Sequence, residues 1–163
     1  MAIDTAKVTG RRELHFSTLD EAMAEAERLA AAPHVRSLGN WNLGQALGHL
    51  SEGFTMSLDG SKIFAPWYIR LVGPLLKRMV LKKMPPGFKL PAKSEQAIVP
   101  ASSISTAEGL AALRAGYERY RREPQRQPHG AFGRLTPAEW DTLHLRHFEL
   151  HLSFHVPDDS RSG

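Results

Sequence analysis

Four places in the chain carry the same signal for the start of a helix: Thr18-Leu19-Asp20-Glu21, Asn42-Leu43-Gly44-Gln45, Ser105-Thr106-Ala107-Glu108 and Thr136-Pro137-Ala138-Glu139. In each, an oxygen-bearing side chain is followed three residues later by Glu or Gln. The first oxygen accepts from an otherwise unpaired backbone N–H, and the acid or amide reaches back to the capping residue. The fourth start is reinforced by Pro137 at the first helical position and by Leu135, placed to staple onto Trp140. Pro33, Gly60, Pro124 and Pro157 supply the stops. The pattern predicts helices over about 18–32, 43–59, 106–123 and 137–156.

Helices of this number and length bury their apolar stripes against one another, so the expected fold is all-α, a four-helix bundle. The 163 residues suit one domain, 1–163. The links between helices one and two and between three and four are short enough for two hairpins. The link between two and three, residues 61–105, is too long for a simple turn and reads as a crossover. Within it, Pro74–Met84 has the make-up of a short helix, and Pro85-Pro86-Gly87-Phe88-Lys89-Leu90-Pro91 must be extended or turned. The one strand-like stretch is Glu13–Phe16.

The net charge of +4 is unevenly placed. Residues 1–60 hold five Lys/Arg against eight Asp/Glu, residues 61–105 hold eight against Glu95 alone, and residues 106–163 hold eight of each. The basic character therefore belongs to one insert and does not describe a nucleic-acid binder. No apolar run approaches the ~18 residues of a membrane span. The N-terminus lacks the apolar core of a leader, so a cytoplasmic setting is expected. With no cysteine, disulfides, thiolate metal sites and a cysteine nucleophile are excluded.

Four of the eight histidines fall within residues 144–155. On a helical wheel with His147 at zero, His151 lies at about 40°, His144 at about 60° and His155 at about 80°. They share the apolar side with Trp140, Leu143, Leu150 and Phe154, opposite Glu139, Arg146 and Glu149. A buried neutral imidazole needs both a donor and an acceptor, and several in one stripe are hard to satisfy internally. A divalent cation resolves this, since each ring offers it a lone pair. The i, i+4 pair His147 and His151 is the best-placed grip. The third candidate ligand is His49, whose neighbours on the second helix, Asn42, Gln45, Ala46, Gly53 and Met56, are mostly small or polar. His144 and His155 are weaker candidates; His155 also suits a helix C-terminus.

These residues carry a family resemblance. Gly39-Asn40-Trp41-Asn42-Leu43-Gly44-Gln45-Ala46-Leu47-Gly48-His49-Leu50, with His147-x-x-x-His151 downstream, resembles the DinB/YfiT-like superfamily. Phe132-Gly133-x-Leu135-Thr136-x-x-x-Trp140 and the run Leu143–Phe154 resemble an uncharacterised bacterial branch of it. The likeness extends from about Arg11 to Phe154. It implies a bundle with a long second crossover, often dimeric, and a three-histidine site for nickel or zinc on His49, His147 and His151. It also implies thiol-dependent transferase or isomerase chemistry on small molecules. The insert 61–105 is longer and more basic than in the simplest members.

Three neutral imidazoles leave an ion with open coordination, the arrangement of a catalytic rather than a structural centre. The expected function is a metal-dependent transferase or hydrolase that activates a thiol or water, with Gln45 or Glu52 as assisting hydrogen-bonding groups. The alternative is a non-catalytic, metal-tied bundle that binds a partner. Trp67–Met84 mixes aromatic, aliphatic and basic residues. On a wheel Lys83 falls among Leu76 and Val80, which favours a lid or dimer contact over a membrane surface.

Overall fold

The computed structural model describes residues 3–61, 64–87 and 104–158. The protein is mostly helical, with long helices α1 (Leu19–Ala31) and α2 (Leu43–Asp59), short helices α3 (Trp67–Leu71) and α4 (Gly73–Lys82), and long helices α5 (Thr106–Arg122) and α6 (Pro137–Leu152). Strands β1 (Val35–Ser37) and β2 (His155–Pro157) pair antiparallel, with Arg36 opposite Val156. All four expected capping boxes form, at Thr18, Asn42, Ser105 and Thr136. The short helix expected at Pro74–Met84 is α4, which begins one residue earlier and ends two earlier. None of the helices among the described residues is long and apolar enough to cross a membrane.

The core lies where the four long helices meet. Leu29, Leu47, Leu50, Phe54, Leu113, Phe148 and Leu152 have almost no exposed surface there. Helices α1 and α2 each pack against both α5 and α6, and the closest pairing is α2 with α5. The two expected hairpins are therefore not the packing units. Along the α2–α5 contact the residue numbers rise together. Gly44 meets Gly109, the Ser51 hydroxyl donates to the Ala112 carbonyl (2.8 Å), and Arg119 forks onto Asp59 (2.6 and 2.7 Å). The two helices are thus parallel. Residues 88–103, including Phe88–Pro91 of the stretch expected to be extended, lie outside the described residues.

Glycine permits this contact. A Cβ on Gly109 would sit on the Gly44 carbonyl oxygen, and one on Gly44 would lie 2.5 Å from the Ser105 carbonyl oxygen. Both neighbours are backbone and cannot rotate away, so the two helix backbones touch directly.

The structure corrects two expectations. The last helix stops at Leu152 rather than near residue 156. The carbonyls that follow have other donors: Arg12 N reaches the Ser153 carbonyl (3.0 Å), Leu38 N the Phe154 carbonyl (2.9 Å) and Arg12 Nη1 the His155 carbonyl (3.0 Å). The chain leaves the helix to meet them and becomes β2. Glu13–Phe16 forms no strand. Its partners are side chains of α6, with Phe16 N donating to Glu149 Oε1 (2.8 Å) and Arg146 Nη2 to the Phe16 carbonyl (3.4 Å). A helix offers no strand edge to pair with.

Replacing Gly109 by Ala should destabilise the protein although Ala is the better helix former by ~1 kcal/mol. Forced separation of α2 and α5 is expected to cost about 2 kcal/mol net, seen as a fall of about 6 °C in Tm by calorimetry. An unchanged Tm would show that the helices do not touch at this point.

Candidate metal centre

His49 projects from the middle of α2, and His147 and His151 project from successive turns of α6. The antiparallel packing of these helices brings all three rings together. Ring centroids are 4.8 Å apart for His49–His147, 4.6 Å for His49–His151 and 4.6 Å for His147–His151. One ring nitrogen from each lies within 4.8 Å of the others, and no Asp, Glu or further His among the described residues joins the group. The tightest approach is Nε2 of His49 to Nε2 of His147 at 2.9 Å. Without an ion, one of these nitrogens donates its proton and the other accepts.

This donor set fits a divalent transition ion. Two donors each ~2.0–2.1 Å from one ion stand about 3 to 3.4 Å apart. The His49–His147 pair is already near that separation, and a small inward movement of His151 completes the set. Ligation requires neutral imidazoles. Burial pushes His147 and His151 well below the usual imidazole range, and each is pushed further by the other histidines, above all His151 and His49 for His147 and His49 for His151. His49 is 6% exposed, whereas His147 and His151 are half-buried. The group is therefore dry on the core side and reachable from outside.

Two residues that received no role in the sequence reading hold the rings in place. Trp41, just before α2, stacks on His151 (centroids 5.3 Å apart, planes 10° apart) and tilts against His49 (4.8 Å). Gly53 lies under His147, where a Cβ would be 3.2 Å from Nδ1. The available signal was position: Trp41 directly precedes the helix cap, and Gly53 is one turn beyond His49.

The remaining candidates lie elsewhere. His144 stacks between Trp140 (5.5 Å) and Phe54 (4.5 Å), and its buried Nε2 has no hydrogen-bond partner. His155 is on β2 rather than α6, with Nδ1 3.0 Å from the Ser37 hydroxyl, so its angle on the helical wheel does not apply. Gln45 is buried, and its Oε1 accepts from Asn42 N (3.0 Å) while Asn42 Oδ1 accepts from Gln45 N (2.8 Å). These atoms serve the helix cap. Glu52 is exposed and outside the histidine group. His129, also without an assigned role, stacks on Phe132, and its Nδ1 accepts from Ala131 N and Phe132 N.

Burial lowers His144 to about 3 and His129 and His155 to about 4. The folded values lie below the unfolded ~6.5, so these imidazoles leave stability intact above pH 6.5 and erode it as pH falls toward 4, where only the unfolded chain takes protons readily. In chelator, the unfolding free energy from urea titration should drop steeply across that window, by up to ~1.4 kcal/mol per pH unit per buried imidazole. His155→Gln should flatten the slope. A flat profile would mean that these rings are not held neutral.

Gly53→Val is expected to displace His147 and weaken zinc binding at least tenfold by competition titration, with the helix content by circular dichroism unchanged. Equal affinity would show that the glycine does not set the ring position.

A family model described as "Protein of unknown function (DUF1569)" matches residues 8–158. No curated protein sequence and no solved structure matches the chain. The match takes in α1 through β2 and with them all three clustered histidines, and the chain belongs to this family of proteins of unknown function.

Proposed function

We propose that His49, His147 and His151 hold one nickel or zinc ion and that the protein is a metal-dependent enzyme acting on a small molecule, as a thiol-dependent transferase or a hydrolase. The observation that carries this reading is the convergence of three imidazoles, one nitrogen of each within 4.8 Å of the others, with no carboxylate among the described residues in the group. A closed structural site usually has four protein ligands, and three leave a position for substrate. When bound, the ion lowers the pKa of a thiol or water beside it. The chain's own part is to present three lone pairs, to pack Trp41 and Gly53 against the three rings, and to leave His147 and His151 accessible. The resemblance to the DinB/YfiT-like superfamily supports the same ligand set. It also supports a homodimer and a low-molecular-weight thiol as cosubstrate.

A second reading has a specific observation behind it: the ligands come from two different helices, so an ion would also tie α2 to α6. A purely structural ion raises stability and does no chemistry.

Elemental analysis of untagged protein after reconstitution with nickel or zinc should give about one ion per chain, and His147→Ala close to none. Metal at a thousandfold excess over Kd should add about 4 kcal/mol to unfolding of the wild type. Turnover by the loaded protein with a panel of small thiols, absent in His147→Ala, supports the enzyme. Stabilisation without turnover favours the structural ion. No stoichiometric metal in the wild type overturns both.

A further inference from the structure

The α3–α4 segment is docked on one side and anomalous on the other. A Cβ on Gly73 would lie 2.7 Å from the Ala131 carbonyl oxygen, and Lys77 Nζ donates to Glu139 of α6 (2.6 Å). Leu76 and Val80 turn toward the body and are partly buried. The outward side should be polar, yet Trp67, Leu71 and Leu75 are 76%, 75% and 72% exposed, and Tyr68, Val72 and Met79 are also exposed. Trp67 and Leu71 stand one turn apart on α3, and Leu75 and Met79 one turn apart on α4, so each of the two helices exposes an apolar pair. Arg70, Arg78, Lys82 and Lys83 are exposed, and no ion pair among the described residues takes them. Residues 64–87 hold five Lys/Arg and no Asp or Glu. Lys83, which spoils the wheel in the sequence, is an extended residue beyond the end of α4. The outward face is therefore apolar and basic.

We infer that this face seats the protein on the surface of an anionic lipid bilayer, with Trp67, Leu71, Leu75 and Met79 in the interface and the four cations against the headgroups. Charge complementarity selects this occupant. A second copy on a two-fold axis would set the basic face against itself, and like charges oppose that pairing. Apolar side chains rimmed by Lys/Arg, with Trp and Tyr at one end, are the composition of an interfacial segment, and a bilayer accepts them without a shaped pocket. The helices lie on the membrane and do not cross it. This inference does not depend on the metal site.

The test is flotation of the full chain with vesicles of phosphatidylcholine containing about one third phosphatidylglycerol, against pure phosphatidylcholine. Binding is expected only to the anionic vesicles and is expected to fade at about 0.5 M salt. Arg78→Gln with Lys82→Gln should weaken it about 25-fold, and Leu71→Ser with Leu75→Ser at least tenfold, with unchanged circular dichroism in both. Absence of binding at low salt overturns the inference. So does binding that survives loss of both leucines, which would be charge attraction alone. Self-association abolished by the leucine changes would assign the face to a second copy and overturn it equally.

Discussion

The contact between α2 and α5 sets the position of everything else. Two backbones meet at Gly44 and Gly109 with no side chain between them. Such contacts do not yield, because neither partner can change rotamer. Helix α2 is thereby held against α5 on one side. Its other side turns Gly53 and His49 toward α6, with Phe54 wedged between α5 and α6. A shift of α2 by the width of a methyl group would move His49 relative to His147, and a 2.9 Å approach between two ring nitrogens does not tolerate that.

The histidine group illustrates how burial and chemistry cooperate. Desolvation and the neighbouring histidines hold His147 and His151 neutral, which is unfavourable for charge but suitable for ligation. Trp41 covers one face of His151 with its indole ring. With no carboxylate among the described residues in the group, any bound cation would keep its charge and polarise whatever occupies the remaining position.

The basic insert has two sides with different jobs. Its inward side is fixed by Gly73, Lys77 and the partly buried Leu76 and Val80. Its outward side keeps large apolar groups in water, at a cost of roughly 25 cal/mol per Å² unless something covers them. The docked side prevents the segment from turning over to bury them against the protein's own core.

The four helix starts were legible because capping is local: each box involves residues three apart, and all four form. The pairing of His147 with His151 was legible for the same reason, since one helical turn separates them whatever surrounds the helix. The end of the last helix was not, because the groups that draw out its final carbonyls, Arg12 and Leu38, are more than a hundred residues away in the chain. That distant competition also moved His155 onto a strand. The sequence by itself determined where helices begin and which histidines share a face. Only the tertiary structure decided which helices touch, that His49 meets His147 while His144 does not join them, and which side of α4 faces water. Those outcomes depend on contacts between segments remote in sequence, where a glycine backbone or a single arginine settles the geometry.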